Sequence, residues 1–303
     1  MRVAVLGTIA VGLIAKVDRL PRPGETVPSR GLTREPTGTG ALQAIAAVRL
    51  GAAVRLYGRV GGDPFGDEIL TALHGAGVDI APVERVARLP TGASLVLSAP
   101  NRQFLAAHAA GANGEVDEGY VAASLPQIRE ADVLLLDQAL PSPAVAALLL
   151  GFPPTRPLVV LHPMPLANVP PLPWERVDFI IGHHGTGTAP IGAEEAARLG
   201  QPFLDRGVRH VVTIASGEGA YLVERAGTTR FPVQEPVVPS PEAQAAFSAA
   251  LAVRLAAGRG PYEAVGFANA AATLAATRRE GPLSFPTAAE VQESLSRPSL
   301  PSD

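Results

Sequence analysis

The feature that most constrains this chain is the alternation of short, fully apolar runs with longer Ala- and Leu-rich segments of helical spacing. Continuous apolar runs bounded by helices are typical of strands buried on both faces of a parallel sheet. The alternation therefore predicts an α/β chain with a mainly parallel sheet covered by helices. The predicted core strands are Arg2–Gly7, Val54–Val60, Val133–Leu136, Leu158–Leu161, Phe179–Ile181 and His210–Ile214, and the predicted helices are Ala41–Leu50, Phe65–Gly75, Pro143–Leu150, Ala193–Arg206, Pro241–Ala257, Tyr262–Thr277 and Ala288–Leu295.

Two segments do not follow this alternation of apolar runs and helical segments. Glu25–Thr37 is polar and extended, and Thr91–His108 has the pattern of two strands around a turn at Pro100–Asn101. We expect them to form a small second sheet over one end of the main sheet.

Composition excludes several classes of function. The chain has no cysteine, which rules out disulfides, thiolate metal sites and thiol nucleophiles. A net charge of −3 and the lack of aromatic residues interleaved with basic ones predict no nucleic-acid partner. The apolar start up to Ala15 is broken by Gly7 and Gly12, which favours a buried first strand over a signal peptide or membrane span. We therefore expect a cytoplasmic protein without a membrane partner.

Several glycine-rich motifs occur in a fixed order along the chain. Together they resemble the ribokinase-type (PfkB) family of sugar kinases, and the resemblance extends from Arg2 to about Leu295. The motifs are Leu6–Thr8, Leu20–Thr26, Thr37–Ala41, Arg49–Gly51, Gly58–Gly66, Pro90–Gly92, Gly111–Asn113 and His162–Pro165.

This resemblance implies a three-layer α/β/α domain with a mainly parallel central sheet and a small β-sheet lid. The whole chain, residues 1–303, would form one such domain, with the lid built from about residues 10–40 and 90–108. The resemblance also implies transfer of phosphate from ATP, with Mg²⁺, to a hydroxyl of a sugar or nucleoside, and pairing of two lids in a homodimer. These cofactors are expected only if kinase activity survives.

The late motif of the family resembles D-T-x-G-A-G-D-x-F, and Phe247 aligns with its phenylalanine. Its glycines free backbone amides to surround the transferred phosphate, and its last aspartate takes the hydroxyl proton. Ala245 stands at the position of that aspartate and cannot accept a proton. The anion-binding positions are Glu242, Ala243 and Gln244, so that Glu242 and Gln244 replace two glycines.

The replaced motif also predicts an ordinary helix start. Ser240 is a good N-cap residue, Pro241 suits the first helical position, and Glu242 places an acid in the first turn. We expect the positive end of this helix to be satisfied by its own side chains, and Glu242 to repel a triphosphate.

The positions that would bind the sugar are replaced in the same way. The resemblance places an aspartate at Gly12, an asparagine at Leu42 and a glutamate at Ala139, whereas the glycines at Gly38 and Gly40 are kept. These five positions form the predicted substrate pocket.

The resemblance places the nucleotide near a second group of residues. It comprises Ser216, Gly217, Gly219 and Asn269. Without a nucleotide, the first three would form a turn between two strands and Asn269 would be a surface helix residue.

Three polar residues follow predicted core strands and suggest a different chemistry. Asp137, His162 and His183 would converge at the carboxyl edge of the sheet if their strands are neighbours. An aspartate with two histidines can bind zinc or another divalent ion. The alternative is that they are unrelated polar residues that fill a vacated pocket. His183–Thr186 aligns with the metal-and-phosphate motif N-x-x-E that the resemblance implies, and neither its asparagine nor its glutamate is kept.

Three functions follow from these observations. The leading hypothesis is a family member that has no catalytic activity, or only residual activity. It would act by binding a sugar, a nucleoside or a protein partner. The second is an active carbohydrate or nucleoside kinase that uses Asp137 or Glu242 as its base. The third is a metal-dependent enzyme built on Asp137, His162 and His183.

Overall fold

The computed structural model describes residues 1–100, 103–153, 157–162, 166, 170–183, 191–215, 218–233, 240–278 and 284–296, without the side chain of His183. The strands are β1 Arg2–Leu6, β2 Ala10–Val17, β3 Ser29–Thr37, β4 Ala53–Tyr57, β5 Arg59–Gly61, β6 Glu84–Val86, β7 Gly92–Ser98, β8 Phe104–Ala109, β9 Val133–Asp137, β10 Leu158–His162, β11 Phe179–His183, β12 His210–Ala215, β13 Gly219–Glu224 and β14 Gly227–Pro232. The helices are α1 Thr39–Arg49, α2 Pro64–Gly75, α3 Glu118–Ile128, α4 Ser142–Gly151, α5 Ala193–Asp205, α6 Pro241–Ala256, α7 Pro261–Thr277 and α8 Ala288–Ser296, with 3₁₀ turns at Gly111–Glu115 and Trp174–Arg176.

The central sheet has eight strands in the order β14-β13-β12-β11-β10-β9-β1-β4. The pairs from β4 to β12 are parallel, and a terminal hairpin adds β13 and β14 antiparallel. Along β1, Val3 and Val5 pack into one apolar cluster while Ala4 and Leu6 pack into another, on the opposite face. Burial on both faces explains the continuous apolar runs, and the predicted three-layer α/β architecture is confirmed.

A second sheet has four strands in the order β3-β2-β7-β8, and we call it the lid sheet. The chain passes from the end of β1 into β2 through Gly7–Ile9, so the lid sheet begins at the carboxyl edge of the central sheet. Helix α2 packs against β2 and β3, and Arg34 of β3 pairs with Glu68 of α2. In open parallel sheets this edge is the place where ligands bind.

Several elements differ from the prediction: strands β2, β6, β13 and β14 have no predicted counterpart, one predicted strand is divided, and one helix was not predicted. The run predicted as one strand, Val54–Val60, is divided at Gly58, whose amide donates to the hydroxyl of Tyr120 at 2.7 Å instead of continuing the ladder. Helix α3 was not predicted, because Pro126 interrupts its sequence pattern. Pro126 lies in the last turn of α3, and the helix starts at an Asp117 cap that accepts from the Tyr120 amide at 2.8 Å.

Among the described residues, the helices are all too short or too polar to cross a bilayer.

Candidate active-site crevice

The start of α6 is closed by its own residues. Ser240 caps the helix as predicted, its Oγ accepting from the Ala243 amide at 3.1 Å. Pro241 has no N–H, and the Gln244 amide donates to the Ser240 carbonyl at 3.1 Å. Within the described part of the chain, the Glu242 amide is the only N–H of this turn left without an acceptor. A phosphate cradle needs several free amides at such a helix end.

Position 245 offers no proton acceptor. Ala245 is 2% exposed and packs in the main apolar cluster. The first turn of α6 carries Glu242, whose charge acts on Glu35 of the lid sheet. Burial raises the pKa of the Glu35 carboxyl above its ordinary value, the charge of Glu242 raises it further, and Lys16 acts in the opposite direction. The carboxylates of Glu242 and Glu35 are therefore close enough to influence each other's charge.

The start of α1 is built differently. Its N-cap, Gly38, has a positive φ of 91° and no side-chain cap. A Cβ on Gly40 would stand 2.6 Å from the backbone of Gly7, and a Cβ on Gly38 would stand 2.6 Å from the Thr8 carbonyl oxygen. The Thr39 amide donates to Thr8 Oγ1 at 3.0 Å. The Ala41 amide donates to the Thr8 carbonyl at 3.1 Å. Both glycines are therefore required by the close approach of α1 to β1, with or without a ligand.

Asp137 holds this junction together. Its Oδ2 accepts from the amide and the Oγ1 of Thr8 at 3.1 and 2.6 Å, and its Oδ1 accepts from the Ala139 amide at 2.9 Å. Burial raises the pKa of Asp137. The hydrogen bonds from Thr8 and Ala139, and a further one from the Thr39 side chain, act in the opposite direction. Because a carboxylate offers about four acceptor sites, the network leaves little capacity for a substrate proton or a metal ion. This geometry argues against Asp137 as the replacement base.

His162 lies beside Asp137, since the two residues are register partners of β10 and β9. Its Nδ1 is 2.6 Å from Ser248 Oγ, which donates in turn to the Gln244 carbonyl at 3.1 Å. Among the described side chains, no group of three potential ligands is arranged to hold a metal ion. The side chain of His183 lies outside the described part of the chain, so the predicted metal site remains a prediction.

The positions predicted to bind the sugar carry no polar side chain in the structure. Leu42 is buried in the main apolar cluster, and Ala139 contributes its amide to Asp137. Gly12 lies in β2, opposite Glu35 of β3. A Cβ on Gly12 would stand 3.6 Å from the Glu35 Cγ, an ordinary contact distance, so the Glu35 side chain lies alongside the space that the glycine leaves.

Two of the four predicted nucleotide positions line a cavity between β12, β13, α6 and α7. Gly219 and Asn269 both line it, together with Ala243 and Gln244, and its volume is about 40 Å³. Asn269 is buried and donates to the carbonyls of Phe231 and Pro232 at 3.2 and 3.0 Å. The interpretation of Asn269 as a surface residue is therefore wrong. Ser216 and Gly217 lie outside the described residues.

Comparisons with known proteins place the chain in a family. The sequence pattern of the pfkB family carbohydrate kinases matches residues 1–150. Ribokinase of Bacillus subtilis is 31% identical over 97% of this chain and 99% of its own length. The chain belongs to the ribokinase (pfkB) family. Ribokinase of Haemophilus influenzae is 28% identical over 96% of this chain and 97% of its own length.

Solved structures agree with this membership at the level of the fold. Ribokinase of Thermotoga maritima superposes with a TM-score of 0.84 at 24% identity, covering 97% of this chain and 99% of its own. Ribokinase of Arabidopsis thaliana, solved with ribose and ATP, gives 0.82 at 23% identity, covering 98% and 99%. The predicted ribokinase-like fold is confirmed.

The residues present fit ATP and Mg²⁺ poorly at the phosphate end of this ribokinase-family crevice. In the described part of the chain, the first turn of α6 leaves only the Glu242 amide without an acceptor, and the carboxylates of Glu242 and Glu35 act on each other at this end of the crevice.

Sequence reasoning missed Glu35, because it considered β3 only as a polar, extended segment. The signal that could have identified it is the register of the β2–β3 hairpin, which places Glu35 beside Gly12. A carboxylate opposite a glycine is a pattern that becomes visible only when the two strands are aligned.

Proposed function

We propose that this ribokinase-family protein binds a sugar or a nucleoside in the crevice and phosphorylates it very slowly or not at all. The observation that carries the proposal is the start of α6, where Ser240 caps the Ala243 amide and a buried Ala245 stands at the position that the family resemblance gives to the base. Loss of a general base typically slows a reaction by about 10² to 10⁴, and loss of an anion cradle adds a further factor.

Calorimetry of the purified protein with D-ribose and with adenosine, each with and without ATP–Mg²⁺, tests this proposal. We expect one of the hydroxylated compounds to bind and ATP–Mg²⁺ to leave its affinity unchanged. Tight binding of ATP–Mg²⁺ together with the absence of any sugar or nucleoside affinity would contradict the proposal.

A second candidate is an active kinase with Glu242 as its base, favoured by membership in the family and by the place of Glu242 at the start of α6. Turnover of a sugar with ATP that disappears in Glu242→Gln and survives in Glu293→Gln would support it. The metal-dependent enzyme built on Asp137, His162 and His183 is the third candidate, and elemental analysis of the purified protein tests it.

The outer face of the lid sheet supports the predicted pairing of two chains. Leu32, Leu95 and Leu105 are 65%, 56% and 50% exposed, and the strand register places all three on the same face. An exposed apolar face ending in an edge strand favours association. We propose a homodimer through this face, or a protein partner that covers it, and a cytoplasmic location.

A further inference from the structure

Two neighbouring residues end strands β9 and β10 at the crevice, and each of them is bonded to a different helix start. Asp137 and His162 are register partners on these strands. They share a face with Leu135 and Val160, two positions earlier, which pack in the apolar cluster that also contains α1 and α6. Asp137 binds Thr8, on which the first amides of α1 depend. The corresponding contact with α6 is made by His162.

A chain of hydrogen bonds leads from His162 into the first turn of α6. The His162 Nδ1 lies 2.6 Å from Ser248 Oγ, and both side chains are buried. The Ser248 hydroxyl donates to the Gln244 carbonyl, one turn earlier in the helix, at 3.1 Å. The Gln244 amide donates to the carbonyl of Ser240, the cap residue. The chain therefore joins the end of β10 to the start of α6.

The number of protons in this chain fixes the state of the imidazole. A serine hydroxyl has one proton and two lone pairs, and a backbone carbonyl can only accept. Because the Ser248 proton goes to the Gln244 carbonyl, the bond between Ser248 and His162 must be donated by Nδ1–H. Replacing His162 by an apolar residue would leave a buried hydroxyl oxygen without its donor, which is costly.

Ser248 is the only hydroxyl residue within α6, an alanine-rich helix. Serine has a lower helix propensity than alanine, and its bond to the carbonyl four residues earlier slightly destabilises a helix. The helix therefore gains nothing from this serine by itself. The contact with His162 gives the hydroxyl a partner outside the helix, two turns after the Ser240 cap.

We propose that His162 is a positioning residue, which acts through Ser248 and Gln244 to hold the first turn of α6 in place beside the bound sugar or nucleoside. This inference rests on the proposed binding function and deepens it, because it names the residue that fixes one wall of the crevice. Asp137 fixes the other helix start from the neighbouring strand. A change at His162 should therefore loosen α6 and leave α1 in place.

Amide hydrogen exchange of the full chain tests the positioning without any ligand. In His162→Leu and in Ser248→Ala, we expect the Ala243 and Gln244 amides to exchange about tenfold faster than in wild type, as for one lost hydrogen bond. The Ala41 amide at the start of α1 should keep its rate. His162→Asn should retain the wild-type rates at α6, because the asparagine amide can donate from the place of Nδ1.

His210→Leu is the matched control. His210 is also a histidine that bonds through Nδ1, in this case to Glu224 at 2.8 Å, but it lies at the start of β12, on the opposite edge of the central sheet. Its replacement removes a comparable hydrogen bond and should leave the exchange rates at both helix starts unchanged.

Calorimetry with D-ribose and with adenosine connects the positioning to binding. For the probe that wild type binds, affinity should fall about tenfold in His162→Leu and in Ser248→Ala. The double variant should bind no worse than either single variant, because both changes break the same chain. His162→Asn and His210→Leu should bind within about twofold of wild type. A purely structural role would lower the melting temperature of His162→Leu and His210→Leu alike and leave both affinities unchanged.

Nitrogen–proton NMR spectra of the histidine rings give a third readout. The signals of His162 are assigned by their absence in His162→Asn. We expect its Nδ1 to carry a proton, as the Ser248 contact requires. A His162 ring protonated on Nε2 alone would contradict the proposed chain.

The outcomes separate this inference from the proposed function. Wild-type exchange rates and affinity in both His162→Leu and Ser248→Ala would overturn the positioning role and leave the binding function intact. Failure of wild type to bind either probe would overturn the binding function, and with it the role of His162 in binding. If His162→Leu does not fold, Ser248→Ala decides, since it removes only one hydroxyl group.

Discussion

Two helices begin at the same crevice, and they begin in opposite ways. Helix α1 starts on a glycine without a side-chain cap, and the amides of Thr39 and Ala41 are satisfied by Thr8 of the connection between β1 and β2. Helix α6 starts on a serine that caps it, followed by a proline and a glutamate. The glycines at α1 are kept because the backbone of β1 leaves no room for a side chain. The start of α6 carries no such steric demand, so its residues could change without loss of the fold.

The largest effect is expected at the start of α1. Gly40→Ala should destabilise the protein by about 3 kcal/mol or more, because its Cβ would stand 2.6 Å from the Gly7 backbone, which cannot move aside like a flexible side chain. Urea denaturation measures the change. Gly75→Ala in α2 is the control, since a Cβ there meets nothing within 4 Å, and it should be neutral or slightly stabilising. Similar stability of both variants would show that the glycines at α1 are not needed by the fold.

A smaller effect is expected beneath the same junction. Asp137→Ala leaves the Thr8 and Ala139 donors without their acceptor and should cost about 2 kcal/mol of unfolding free energy. Asp18→Ala, whose carboxylate pairs with Arg30 at the surface, is the control and should change stability by less than about 0.5 kcal/mol. If both substitutions cost the same in urea denaturation, Asp137 does not hold α1 to β1.

The smallest effect sharpens the account of α6. Ser240→Ala removes the cap and should lower the unfolding free energy by about 1 kcal/mol. Thermal denaturation measures the change. The control is Ser142→Ala at the start of α4, which has no side-chain cap, and it should have almost no effect. Equal stability of Ser240→Ala and wild type would mean that the serine does not satisfy the helix end.

Much of the frame could be predicted from the sequence, because strands buried on both faces leave continuous apolar runs such as Val133–Leu136. The cap at Ser240 could also be predicted, since capping depends on residues adjacent in sequence. Asn269 was misjudged because its helix is rich in alanine, which gives little indication of the buried face. Glu35 was missed because its partners come from β2 and α6, and no local pattern contains that information.

The central proposal is that this protein transfers phosphate from ATP to a sugar very slowly or not at all. The rate of ADP production measures this activity directly. The rate should be followed with D-ribose, ATP and Mg²⁺, alongside ribokinase of Bacillus subtilis as the positive control. We expect this chain to be slower by at least about a thousandfold, because our proposal holds that both the base and the anion cradle are replaced. A rate within about tenfold of that ribokinase, abolished by Glu242→Gln, would contradict the claim.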